Sequence, residues 1–160
     1  MRDESTKQAA QEYLAAKLLE EEQAYEAKRN LETAIARASL VWKSVKEAIF
    51  AQCNEWNAVT QESTLTCKET PIGDLRIWCS DKARHMTVHY NFEKLLITVK
   101  NDGRLEHETD VLLHIEGYRA GPDRDNRGTQ LVRNELPVNI DMLILAELRV
   151  LTGMKRQRID

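Results

Sequence analysis

The sequence predicts an α+β fold: a long N-terminal helix (or helical hairpin) packed on an antiparallel sheet of five to six strands, with a buried C-terminal helix. Three observations predict it. All 6 glycines and all 3 prolines fall at or after Pro71, and these residues are the strongest breakers of regular structure. Before that divide Ala, Leu, Glu, Gln, Lys and Arg dominate, the best helix formers. Beyond Ser63 the apolar period changes to two, the strand period.

The 160 residues read as one domain: a helical region 1–62 that can overhang, a sheet 63–136, a C-terminal helix 137–154 and a frayed basic tail 155–160. Helix is expected from about Thr6 to Gln61. As one rod it would be about 80 Å long, whereas a compact domain of this size has a radius of gyration of about 15 Å. The overhang therefore pairs with another chain, or the helix folds back as a hairpin near Asn30, where Asn30-Leu31-Glu32-Thr33 can cap a new start. Leu31, Ile35, Ala38, Trp42, Val45, Ile49, Gln52, Trp56 and Val59 alternate spacings of 4 and 3. Ala34, Val41 and Ala48 widen this stripe beyond a narrow two-stranded coiled coil. Ala10, Leu14, Leu18 and Tyr25 form a weaker, interrupted stripe.

Six strands are expected in the second half. Leu65–Lys68 and Leu75–Cys79 flank the turn at Pro71-Ile72-Gly73-Asp74, and Met86–Tyr90 follows. Leu95–Lys100 and Leu105–Tyr118 flank Asn101-Asp102-Gly103, in a register that sets Lys100 opposite Glu106 and Leu95 opposite Val111. Thr129–Leu136 is the last. Pro137 then introduces a helix that Asn139 or Asp141 can cap and Gly153 can end. Its run Met142-Leu143-Ile144-Leu145-Ala146 is apolar on all sides, so full burial is expected.

Composition bounds the function. The chain carries a net charge of -3. Residues 1–62 hold 8 Lys/Arg and 11 Asp/Glu, and residues 63–160 hold 15 of each. A mildly acidic chain with no basic face weighs against a nucleic-acid partner. No apolar run approaches the roughly 18 residues of a membrane span, and the first residues lack the apolar core of a signal peptide. Three cysteines, Cys53, Cys67 and Cys79, point to a reducing, cytoplasmic setting rather than a disulfide framework.

One loop stands out, Gly117 to Gly128. Arg119, Arg124 and Arg127, with Asp123 and Asp125, make it the candidate ligand-binding loop, since arginines grip carboxylate or phosphate; the competing reading is that its Arg and Asp residues neutralise one another. A calcium loop fails there because Arg127 and Asn134 occupy ligand positions. His85 and His89 share a strand face but stand about 13 Å apart, and neither His107 nor His114 has a zinc-like spacing to a cysteine or carboxylate. Cys67 could lie across from Cys79, or from Trp78 if the turn length is even. No catalytic motif, cofactor or metal site is expected.

The resulting expectation is a non-enzymatic protein–protein interaction module that self-associates through its helices. A homo-oligomer is expected, a dimer first, with an unknown protein partner as a variant and no membrane. The candidate interface is Leu31, Ile35, Trp42, Val45, Ile49 and Trp56. The alternative is a small-molecule binder or enzyme with a site on the sheet, where Arg119, Arg124, His85 and His89 would converge.

Overall fold

A computed structural model describes residues 2–154; the basic tail lies outside the described residues. The elements are α1 (Arg2–Thr60), β1 (Leu65–Glu69), β2 (Leu75–Cys79), β3 (Arg84–Asn91), β4 (Leu96–Asn101), β5 (Val111–Arg119), β6 (Arg127–Arg133), β7 (Leu136–Pro137) and α2 (Ile140–Leu151). The strands form one antiparallel sheet in the order β1-β2-β3-β4-β5-β6-β7. Each strand pairs with its sequence neighbour, so short turns suffice and both helices pack on one face. The fold is α+β.

The α1 helix is a single element of 59 residues, about 88 Å long at 1.5 Å per residue. It does not break at Asn30. The side chain that could have capped a new helix instead accepts a hydrogen bond from Arg127 Nη1 at 2.9 Å. The helix ends where Gln61 turns left-handed at φ 55. Asn57 then clips the chain into the sheet, donating to the Leu65 carbonyl at 2.7 Å and accepting from its N–H at 3.0 Å.

The helix meets the sheet along Ala34, Ala38, Trp42, Val45, Ile49 and Cys53, all buried. They pack on Leu75, Ile77, Met86, Val88, Ile97, Leu113 and Ile115, the inward alternate positions of the strands. The closest approach is at Gly117. A Cβ there would stand 2.3 Å from the Asn30 carbonyl oxygen, so only glycine lets the backbones of α1 and β5 come this near. Trp42 stacks on Tyr90 with ring centroids 5.6 Å apart. Lys46 lies over the Trp42 ring at 5.5 Å and pairs with Glu69 at 3.0 Å.

Four expectations need correction. The sheet has seven strands, not five to six. The expected Thr129–Leu136 strand is β6 plus β7, separated by Asn134 and Glu135, both left-handed at φ 51 and 67; a two-residue turn of this hand matches the twist of a hairpin. The β4–β5 register is also different. Leu96 faces His114 and Val99 faces Val111, so residues 105–110 are a loop rather than strand and Lys100 does not face Glu106. Cys67 faces Ile77, and it is Leu65 that faces Cys79.

The fourth correction concerns α2. Asn139 caps it, its side chain accepting from the Met142 N–H at 3.2 Å, and Gly153 follows its end at φ +78. The helix is buried on one side only. Ile144, Leu148 and Leu151 face the core, whereas Met142 is 67% and Leu145 43% exposed. Its two-layer setting leaves the outer side without a layer above it.

Candidate functional site

The arginine loop is occupied by its own chain. Arg127, buried to 6% exposure, donates from Nη1 to Glu26 Oε2 at 2.8 Å and from Nη2 to Glu26 Oε1 at 3.0 Å. Such a two-pronged pair is the strong form of the contact. Those hydrogen bonds hold the Glu26 carboxyl below its ordinary range and raise Arg127, in both cases against burial. Arg124 donates to Glu22 at 3.1 Å and covers the Tyr25 ring at 4.5 Å. Arg29 reaches Asp125 at 3.7 Å. Arg119 curls back on the loop, donating to the carbonyls of Gly121 (2.9 Å) and Pro122. Asp123 accepts from the Asp125 N–H at 3.0 Å. The loop is thus a clamp on α1, and glutamates about two and three turns before the first core residue, Ala34, neutralise two of its arginines.

The histidines do not join it. His85 and His89 lie on the sheet face opposite the helices, beside Asp102 (3.2 Å) and Asp74 (2.5 Å) respectively. His89, Thr98 and Leu112 form one row, and Arg119 is seven residues further along β5, about 23 Å at 3.3 Å per residue. His107 is in the exposed 105–110 loop and His114 is exposed on β5. Among the described residues no group of three His, Cys, Asp or Glu could hold a metal ion. All three cysteines are free thiols. The neighbour of Cys67 is Cys53 of α1, and their hydrogen bond, with burial, pushes the Cys67 thiol up.

The candidate interface residues divide. Trp42, Val45 and Ile49 lie in the intramolecular core. Leu31 and Ile35 are 55% and 60% exposed although Ala34 between them is buried on the sheet, so they lie on the docked part of α1 without entering its core. Trp56 is half-buried and lines a groove between α1 and α2 with a volume of about 670 Å³. Ala48, Ala51, Val59, Leu145 and Leu148 make its walls apolar, with Glu55 and Asp141 at the rim. Gln52, the polar residue of the stripe, bonds the Asp141 carbonyl at 2.8 Å and ties the two helices together.

Beyond the clamp α1 projects. Residues 3–25 are exposed, an arm about 35 Å long that carries Tyr13, Leu14, Leu18 and Leu19 at 56–67% exposure. An isolated helix of this length is marginal in water, but here nucleation is supplied by the docked half of the same helix.

A second polar cluster left little trace in the sequence. Glu147, directly after the apolar run of α2, is 6% exposed. Its Oε1 pairs with Arg104 Nη2, its Oε2 accepts from Asn101 Nδ2 at 2.9 Å, and Asn101 also donates to the Glu147 carbonyl at 2.9 Å. Arg104 Nη1 donates to the Val99 carbonyl at 3.2 Å. Every charged group is paired, as a buried ion pair requires, so the cluster fastens the β4–β5 loop to α2. The signal was present only as a lone Glu at a core position of an apolar helix. Among the described residues no helix is long and apolar enough to cross a membrane. No protein-family model, curated protein or solved structure matches the chain.

Proposed function

We propose that this chain is a non-enzymatic assembly module whose sheet and α2 anchor a rigid helical arm that binds other helices, its own copies first. One observation carries the reading: a third of α1 projects past the sheet with large apolar side chains on its surface. A monomer rarely maintains such a feature without a partner for it. The clamp by Arg124 and Arg127 supports the same reading, because it fixes the direction in which the arm leaves the body.

The expected association is weak. Leu14 and Leu18 from two copies contribute about 1.5–3 kcal/mol each when buried, and association costs about 4 kcal/mol or more. A dimer with a Kd in the micromolar range or weaker follows. Sedimentation velocity from about 1 to 300 μM should show the mass rising towards a dimer, and L14E/L18E should remain a monomer with unchanged thermal stability. A wild type that stays monomeric throughout overturns the proposal.

The α1–α2 groove supports a second reading, a binder of an apolar small molecule or peptide, since its size is that of ordinary ligand pockets. The former version of that reading, a site beside residues 117–128, lacks available cations because the arginines are engaged by α1 and by the loop itself. An apolar fluorescent dye that binds the wild type and not V59E would support the groove; equal binding to both would remove it.

A further inference from the structure

The geometry points to a definite occupant for the arm: the arm of a second copy, running antiparallel, with Leu14 of each chain against Leu18 of the other. This inference rests on the assembly reading above and specifies its partner and register.

Glu4, Lys7, Gln11, Leu14, Leu18, Glu21, Tyr25 and Lys28 follow one another at alternating steps of 3 and 4 residues, which places them on one seam of a helix that supercoils with a partner. The seam is complementary to its own reverse. Turned end to end on itself, it sets Leu14 against Leu18, Gln11 against Glu21, Lys7 against Tyr25 and Glu4 against Lys28. Each contact occurs twice across the two-fold axis, as a closed dimer of identical chains requires. The centre is apolar, the next rung joins an amide to a carboxylate, and the next brings an ammonium to a phenol ring with Glu21 one turn away. The outermost rung is an ion pair.

Charge decides the direction. A parallel, in-register pair would set Lys7, Glu21 and Lys28 each against its own copy, and facing like charges oppose pairing. The antiparallel pair has no such rung. It also sets the acidic first turn, Asp3 and Glu4, beside the basic pair Lys28 and Arg29 of the partner. Glu4 and Lys28 make no ion pair with another described residue. The loop does not close the seam. Arg124 covers one side of Tyr25, which remains 38% exposed.

Zero-length carbodiimide coupling of the unmodified protein tests this, because it joins a carboxylate and an amine only when they touch. An equal mixture of unlabelled and 15N-labelled chains is coupled at a concentration where sedimentation shows dimer, and the peptides are read by mass spectrometry. The expected product links Glu4 of one isotope to Lys28 of the other. Within one chain the two stand about 36 Å apart on a single helix, so that link cannot form internally. Dimers that carry interchain links elsewhere and none between Glu4 and Lys28 overturn the register while leaving assembly standing. A protein monomeric at every concentration overturns both. As an independent check, E4K and K28E should each weaken the dimer by about two- to fivefold at low salt, as exposed ion pairs do, and E4K/K28E should recover wild-type association. A double swap no better than the single changes also overturns the register.

Discussion

Replacing Glu147 with Ala should destabilise the fold by about 3 kcal/mol, the low end of the 3–5 kcal/mol typical of a broken buried pair. The magnitude follows from what remains. The Arg104 side chain, 7% exposed, would keep its positive charge and lose its carboxylate. It would retain the Val99 carbonyl at 3.2 Å, and it sits on a loop that can swing outward, which is why the low end applies. Asn101 would lose one acceptor but keep the Glu147 backbone carbonyl at 2.9 Å. For a chain of this length each kcal/mol is worth about 2–4 °C, so Tm should fall by about 6–12 °C. Urea unfolding followed by tryptophan fluorescence reports the core, since Trp42 is buried there and the arm carries no tryptophan. The control is E147L/R104M, which removes both charges and should lose far less than E147A. A loss below about 1 kcal/mol for E147A, or a double variant as damaged as the single, would refute the reasoning.

Three further outcomes follow from the same geometry. G117V should destabilise by at least about 1–3 kcal/mol, the usual cost of overpacking, because its Cβ would meet the Asn30 backbone at 2.3 Å; a Tm within a degree of wild type would contradict the crossing. The double substitution of Trp42 and Ile49 by polar residues should unfold the chain rather than merely dissociate it, read by far-UV circular dichroism at low concentration, because both side chains are in the core. Glu26 has its carboxyl held below the ordinary range by Arg127, so the pair contributes stability that is complete above the ordinary glutamate pKa and is lost as pH falls through the lowered value; the Tm difference between wild type and E26Q should be constant near neutrality and shrink in acid.

The arginine loop shows how far residue type alone can mislead. Three arginines in a polar loop have the composition of an anion site. The partners of two of them, Glu22 and Glu26, lie about a hundred residues earlier on α1. Nothing local couples the two stretches, since their contact depends on where α1 crosses β5. Glu147 illustrates the same limit. Its neighbours Asn101 and Arg104 read as turn residues, and only the packing of α2 over the β4–β5 loop makes them a buried network.

Much of the architecture was nevertheless written locally. The absence of Gly and Pro before Pro71 determined that this region is helical, because helix formation depends on each residue and its neighbours within a turn. Alternation of period two determined most strands, and Asn139 and Gly153 determined the limits of α2, because caps and turns act over a few residues. Tertiary structure alone decided that α1 does not fold back at Asn30, that Trp42 and Ile49 face the sheet while Leu31 and Ile35 do not, and that β4 meets β5 in the register Val99–Val111. Those outcomes rest on contacts between residues distant in sequence. A pleated sheet accepts several registers of similar local quality, and the one adopted pairs Ile97 with Leu113 and Val99 with Val111, all four buried against the helices.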